Sequence, residues 1–234
     1  MTERMAYRSL DGERLSPAAQ LRALASLACT LGWLFAYPSR KIAAEAVSDA
    51  FADRCCELFA AAAPAHPLPT RPYEKDADAQ LRGEAACKDG SPAALRRECT
   101  QLFYAPNCPV PLCGSRWVRR RTLLSRKIGE RSAVEQEYRR MGVVRKPGVT
   151  NPSDHLSSEL DYLAFLCVAE ADALDAADAA LAREFRGMRE SFQEDHLGEL
   201  ACAVSHEILA RSGNPHLRFF ARLLRAFSPV ERSC

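Results

Sequence analysis

The 234-residue chain predicts an all-α fold, a single globular domain of about eight to ten helices with a Pro-rich irregular loop in its middle. Three observations point there. Ala and Leu dominate, and glycine is sparse outside candidate helix ends. No long run alternates apolar and polar residues as a half-exposed strand would. Apolar residues instead recur at helical spacing. The length allows one large domain or two small ones with a substantial core, and one helical domain spanning residues 1–234 is the preferred reading.

Residues 1–15 read as a flexible N-terminus. Ser16 and Pro17 open a first helix, because serine caps and the missing proline N–H is no loss at the first helical position; it runs to about Tyr37, where Pro38 stops it. A second helix is expected from about Ser39 to Ala63, antiparallel to the first. Residues 64–92, with Pro64, Pro67, Pro69 and Pro72, read as a mobile connection with room for a short helix around Glu74 to Ala86. A helix from about Pro92 leads into Leu102 and Phe103. The tract APNCPVPLCGS that follows must loop, since three prolines and a glycine punctuate it. Further helices are expected at roughly 130–142, 152–172, 175–194, 196–211 and 214–227, with Gly142, Gly213 and Pro215 as stops. Residues 228–234 read as a flexible C-terminus. No internal repeat or low-complexity tract occurs.

Ten cysteines are present, at 29, 55, 56, 87, 99, 108, 113, 167, 202 and 234, without a CxxC pair. Cys29, Cys167 and Cys202 lie in apolar helical patterns, where a thiol acts as a small hydrophobe. With no secretory signal and no extracellular spacing pattern, reduced thiols and a cytoplasmic location are expected. The apolar stretch from Ala18 to Tyr37 contains Gln20 and Arg22 and is amphipathic, so no membrane span is expected.

The tract Asn151 to Leu166, NPSDHLSSELDYLAFL, sets an acid and an imidazole at the start of a long apolar helix. Asn151 is expected to cap it, Pro152 to take the first position, and Asp154 to lie near the positive end of the dipole. Leu156, Leu160, Leu163 and Cys167 fall at i, i+4, i+7 and i+11 and form one buried stripe; His155, Glu159 and Tyr162 share an adjacent face at the edge of the core.

Charge is segregated along a chain whose formal net charge is only +2. Between Asn151 and Glu207 a block of acids is opposed only by Arg183, Arg186 and Arg189, whereas Arg116, Arg119, Arg120, Arg121, Arg126 and Lys127 cluster after the Pro-rich loop. The basic run lacks a recognition-helix pattern, and the acidic half would repel phosphate, which argues against a nucleic-acid-binding regulator. His155, Glu159, His196 and His206 do not compose a metal or hydrolytic site, since His155-x3-Glu159 lacks the second histidine of an HExxH helix and no Cys/His pair has zinc-finger spacing. No Gly-rich phosphate loop occurs. No catalytic residue, metal or cofactor is therefore expected, and the chain is not read as an enzyme.

In order along the chain stand Leu102-Phe103, the Pro-rich loop, Gly114-Ser115-x-Trp117, Tyr138 to Gly142, Pro152-x-Asp154-His155-x3-Glu159-Leu160, Phe192-x2-Asp195-His196-Leu197 and Gly213-Asn214-Pro215-His216-Leu217-x-Phe219-Phe220. This ordered set resembles the TorD/DmsD family of redox-enzyme maturation chaperones, of the NarJ-related superfamily, over roughly residues 20–227. The resemblance implies an all-helical cytoplasmic chaperone that binds the twin-arginine signal peptide of a molybdopterin-dependent oxidoreductase. It would hold the apo enzyme while cofactor is inserted and delay export until folding is complete. The same resemblance implies contact with molybdenum-cofactor insertion or export machinery, as a monomer or homodimer. Carried over residue by residue, the peptide-binding candidates are Leu102, Phe103, Pro111, Gly114, Ser115, Trp117, Asp154, His155 and Glu159. The chain departs from the family at Cys99, where an aromatic is usual, at Cys113-Gly114-Ser115, where Tyr-Glu-Ser or Trp-Gly-Ser is usual, and at Glu199 and Leu200, where an aromatic usually stands.

A twin-arginine leader offers two guanidinium groups and then an apolar stretch, so its receptor needs carboxylates beside a hydrophobic groove. Asp154 and Glu159 are expected to accept from the arginines, with Leu102, Phe103 and Trp117 lining the groove. Two alternatives stand beside this reading: a chaperone of a nitrate-reductase-type catalytic subunit without an exported signal, and a helical nucleic-acid-binding regulator.

Overall fold

The structure, a computed structural model, describes residues 15–64, 66–73, 89–117, 130–144, 148, 150–225 and 227. The expectations for the two termini, for a short helix around Glu74 to Ala86 and for the basic run Arg119 to Lys127 lie outside those residues. Within them the regular elements are helical: α1 (Pro17–Phe35), α2 (Arg40–Ala46), α3 (Asp49–Ala62), α4 (Pro92–Cys99), α5 (Gly114–Trp117), α6 (Glu130–Arg140), α7 (Leu156–Asp175), α8 (Ala179–Phe192), α9 (Gly198–Arg211) and α10 (Pro215–Arg225). A π-helical turn, Thr100–Tyr104, extends α4, and a second, Gln193–Leu197, joins α8 to α9.

Capping explains where these helices begin. Ser16 Oγ accepts from Ala19 N at 3.2 Å ahead of Pro17, and Ala36 turns extended to end α1 before Pro38. The single helix expected over 39–63 is two, because Ser48 does double duty. Its hydroxyl donates to Glu45 O at 2.7 Å, closing α2, and accepts from Phe51 N at 3.2 Å, opening α3.

Antiparallel helices α1 and α7 form the centre. Arg22 near the start of α1 meets Asp172 and Asp175 at the end of α7, and Gly32 near the end of α1 lies against Ser157 and Asp161 at the start of α7. Helix α3 packs on α1, α8 on α7, and α9 on α10. The predicted stripe Leu156, Leu160, Leu163 and Cys167 is wholly buried, each leucine contributing about 2 kcal/mol of transfer free energy. One core joins all these helices. By length and composition alone α1 is apolar enough to cross a membrane, a test that a buried core helix also passes, so the expectation drawn from Gln20 and Arg22 is not contradicted. Its burial of Leu27, Ala28, Leu31 and Phe35 against its neighbours is what a core helix shows.

Cys29, Cys55, Cys56, Cys99, Cys108, Cys113 and Cys167 are thiols outside any disulfide, and burial pushes those of Cys55, Cys99 and Cys167 up to about 12. Cys202 is disulfide-bonded, which corrects the expectation of thiols reduced throughout; apolar periodicity reports the face a cysteine occupies and not what approaches it.

Candidate functional site

After the π-helical turn the chain folds back over the foot of α7. Prolines at 109 and 111 cannot donate, so alternate residues make the contacts. Val110 N donates to Leu102 O at 3.0 Å and Gly114 N to Asp154 O at 2.8 Å, while Leu112 O accepts from Leu156 N at 2.8 Å. An isolated antiparallel bridge pairs Cys113 with His155. Trp117 Nε1 donates to Pro111 O at 2.7 Å and Arg116 Nη1 to Cys108 Sγ at 3.3 Å, closing the loop on itself.

Asp154 joins the two sides. Its Oδ2 accepts from the Ser115 backbone N–H at 3.0 Å, so its charge sits at the N-terminal end of α5. This replaces the expected arrangement. Asn151 does not cap α7; the cap is His155, whose Nδ1 accepts from Ser157 N at 3.2 Å. Asn151 Nδ2 donates to Ser157 Oγ at 3.0 Å instead. Because Nδ1 is an acceptor, Ser157 Oγ, 2.8 Å away, donates to it and the ring proton belongs on Nε2. On the other flank Tyr138 Oη donates between Ser158 O (2.9 Å) and Ser153 O (3.2 Å), and Ser153 Oγ donates to Glu135 at 3.2 Å.

Burial lowers the His155 imidazole to about 4, outweighing the pull of the Asp154 charge in the other direction. Burial also raises the Cys113 thiol to about 11, assisted by Asp154 and Glu159. At neutral pH the junction thus holds a neutral imidazole and an un-ionised thiol, a poor set for acid–base or nucleophilic work. Its chemistry is that of hydrogen bonding and shape.

The structure brings Pro111, Gly114, Ser115, Trp117, Asp154 and His155 together in this junction, with Leu102 attached through Val110 and Glu159 one turn into α7. Asp154 and Glu159 are each only 1% exposed, and His155 and Pro111 are also buried. Leu102 and Phe103 turn inward, the Phe103 ring 6.1 Å from that of Phe35, rather than lining an open groove with Trp117. Gly114 and Trp117 are half-buried, and Ser115 is exposed. The expected polar trio His155, Glu159 and Tyr162 lies inside the protein instead of at its edge. The acid block has a further partner, since Arg22 of α1 binds Asp172 at 2.8 Å and Asp175 at 2.6 Å.

The outer face of α7 does not stand out in the sequence as a stripe. Asp161, Phe165, Val168 and Asp172 are all exposed on α7, at the same i, i+4, i+7, i+11 spacing as the buried stripe. The signal was present, but a helix apolar on nearly every side hides which stripe is outermost.

The family model described as the nitrate reductase delta subunit matches residues 18–201. None of the curated proteins matches the chain.

Proposed function

Because the chain belongs to the nitrate reductase delta subunit family, whose members are chaperones of molybdoenzyme maturation rather than catalysts, we propose that it acts on the leader of a molybdopterin oxidoreductase. It binds the twin-arginine signal peptide of the catalytic subunit in the cytoplasm, keeps the apo enzyme open for cofactor insertion, and delays export until folding is complete. The observation that supports this reading is the exposed acid of α7 and α8, Asp161, Asp172, Asp175, Asp178, Glu184 and Glu190, on a protein with exposed aromatic and aliphatic side chains nearby. Carboxylates suit guanidinium groups, and apolar surface suits the stretch that follows them.

Within this reading the site residues divide. Asp154, His155 and Glu159, with Pro111, Gly114, Ser115 and Trp117, hold the loop and set the pitch of α7; Leu102 and Phe103 anchor the loop from the core. A direct arginine contact at Asp154 requires the loop to lift, so Asp154→Asn with unchanged calorimetric affinity for every twin-arginine peptide leaves Asp154 as a loop tie alone.

The family description favours a second reading, a nitrate-reductase-type catalytic subunit whose N-terminus carries no functional export signal. Purifying the tagged chain from its host and identifying the bound protein by mass spectrometry distinguishes them. A twin-arginine precursor, released when Arg-Arg is changed to Lys-Lys, supports the first. A leaderless molybdoenzyme subunit supports the second, and no molybdoenzyme at all rejects both.

A further inference from the structure

Residues 66–73, HPLPTRPY, run from α3 to α10 without a helix. Prolines at 67, 69 and 72 fix φ along the segment and make it a stiff strap. It is tied to both helices. The Arg71 guanidinium pairs with Asp53 of α3, and the Tyr73 ring meets the imidazole of His216 edge-on, with centroids 5.4 Å apart at 85°. Tyr73 pays a backbone cost for that contact, since its φ of +63° lies in the left-handed region that a bulky side chain rarely enters. Its tip fits because residue 90 is glycine: a Cβ there would collide with Tyr73 Oη and stand 2.9 Å from Cζ. Gly90 itself is not left-handed, so what its missing side chain supplies is space. Under the Tyr73 ring His216 is only 3% exposed, and its Nδ1 has no hydrogen-bond partner among the described residues.

We propose that Tyr73 is the latch of a strap that opens locally and bares His216 while the rest of the fold stays intact. The closed state carries two penalties, a strained backbone and a buried acceptor without a partner, and both are relieved by opening. The ring contact and the Arg71–Asp53 pair oppose them. When φ of Tyr73 relaxes to a negative value its Cα–Cβ bond turns, so the ring must leave Gly90 and His216. The prolines then carry the strap off α10 as one piece, and water reaches Nδ1. Burial outweighs the pull of Asp49 and lowers the pKa of His216, so at neutral pH the imidazole that emerges is uncharged. The device uses none of the residues of the Asp154 junction and does not depend on which client the protein serves.

Diethyl pyrocarbonate, which acylates uncharged imidazoles, tests this on the full chain at neutral pH, with each modified histidine located by peptide mass spectrometry. His206 is exposed and His155 is buried under the loop, so the first calibrates free access and the second reports global unfolding. In the wild type His216 reacts more slowly than His206 and faster than His155. Gly90→Ala fills the seat of the Tyr73 hydroxyl, and Tyr73→Ala removes the ring from a side chain that is 61% exposed. Each speeds modification of His216 on the order of tenfold and leaves His155 slow. Should the buried Gly90→Ala variant fail to fold, Tyr73→Ala decides alone. Wild-type reactivity of His216 in Tyr73→Ala overturns the latch. Reaction of His216 as fast as His206 in the wild type also overturns it, because the strap is then never closed. A rise of His155 in step with His216 does the same by making the opening global.

Discussion

The Ser115 backbone N–H donates to Asp154 Oδ2 at 3.0 Å, so one carboxylate beside the cap of α7 fastens the loop that returns from the core. The neighbouring Gly114 N–H donates to the Asp154 carbonyl at 2.8 Å, which makes Asp154 a two-point tie. Asp154→Ala removes a buried charged acceptor and is expected to cost about 1–3 kcal/mol in urea unfolding. Asp154→Asn keeps an oxygen in place and should lose roughly half as much. Equal stability of wild type and the alanine variant would show that the tie holds nothing.

His155 makes stability depend on pH. Its imidazole sits at about 4 in the folded chain against an ordinary 6.5, so the unfolded chain takes up this proton first. Its contribution is complete above about pH 6.5 and is lost as the pH falls toward 4, a difference of about 3 kcal/mol at most. His155→Asn retains an acceptor for the Ser157 N–H and removes the titration. Stability measured between about pH 7 and pH 5 should fall less steeply in the variant; identical slopes would exclude His155 as the source.

Much of this architecture is legible in the chain, and what is hidden is hidden for physical reasons. The buried stripe of α7 and the stop ahead of Pro38 follow from spacing and proline geometry, whereas Pro215, expected as a stop, is the first residue of α10. The start of α7 does not follow from them, because Asn151, Ser153 and Asp154 all satisfy the local capping rule and only distant partners decide among them. Ser115 takes the Asp154 carboxylate and Glu135 takes the Ser153 hydroxyl, leaving the cap to His155. The break at Ser48 is invisible for the same reason, a serine being equally at home inside a helix face. The sequence motif likewise picked out residues that converge on one junction without revealing that a loop covers them. Covering is a tertiary property that spacing does not encode.

Gly32 controls how closely α1 and α7 approach. A Cβ there would meet Asp161 Oδ1 at 3.2 Å and the Ser157 carbonyl at 3.5 Å, the first a side-chain tip that can swing, the second an ordinary contact. Gly32→Ala therefore trades a small displacement against a helix-propensity gain of about 0.5–1 kcal/mol, and its net effect on thermal unfolding should stay within about 1 kcal/mol of wild type. Gly32→Leu must seat a branched side chain between the helices and should cost about 1–3 kcal/mol. A large loss from alanine would mean that the helices cannot give at this crossing.

Glu170 carries a deeply buried carboxylate of α7 whose two oxygens both meet arginines. Oε1 accepts from Arg186 Nε at 2.9 Å and Oε2 from Arg189 Nε at 2.7 Å, with Arg186 half-exposed and Arg189 largely covered. Removing a partner from a buried charge is far more damaging than removing the pair. Arg189→Leu leaves Glu170 with a single, solvent-screened partner and should cost about 3 kcal/mol. Glu170→Leu should cost less, because Arg189 still reaches Gln193 Oε1 at 3.0 Å and Glu190 at 3.5 Å. The double leucine variant should regain much of the arginine variant's loss, so chemical denaturation of the cycle should give a favourable Glu170–Arg189 coupling. Additive losses would mean that the bridge is decorative and that apolar packing alone holds α8 against α7.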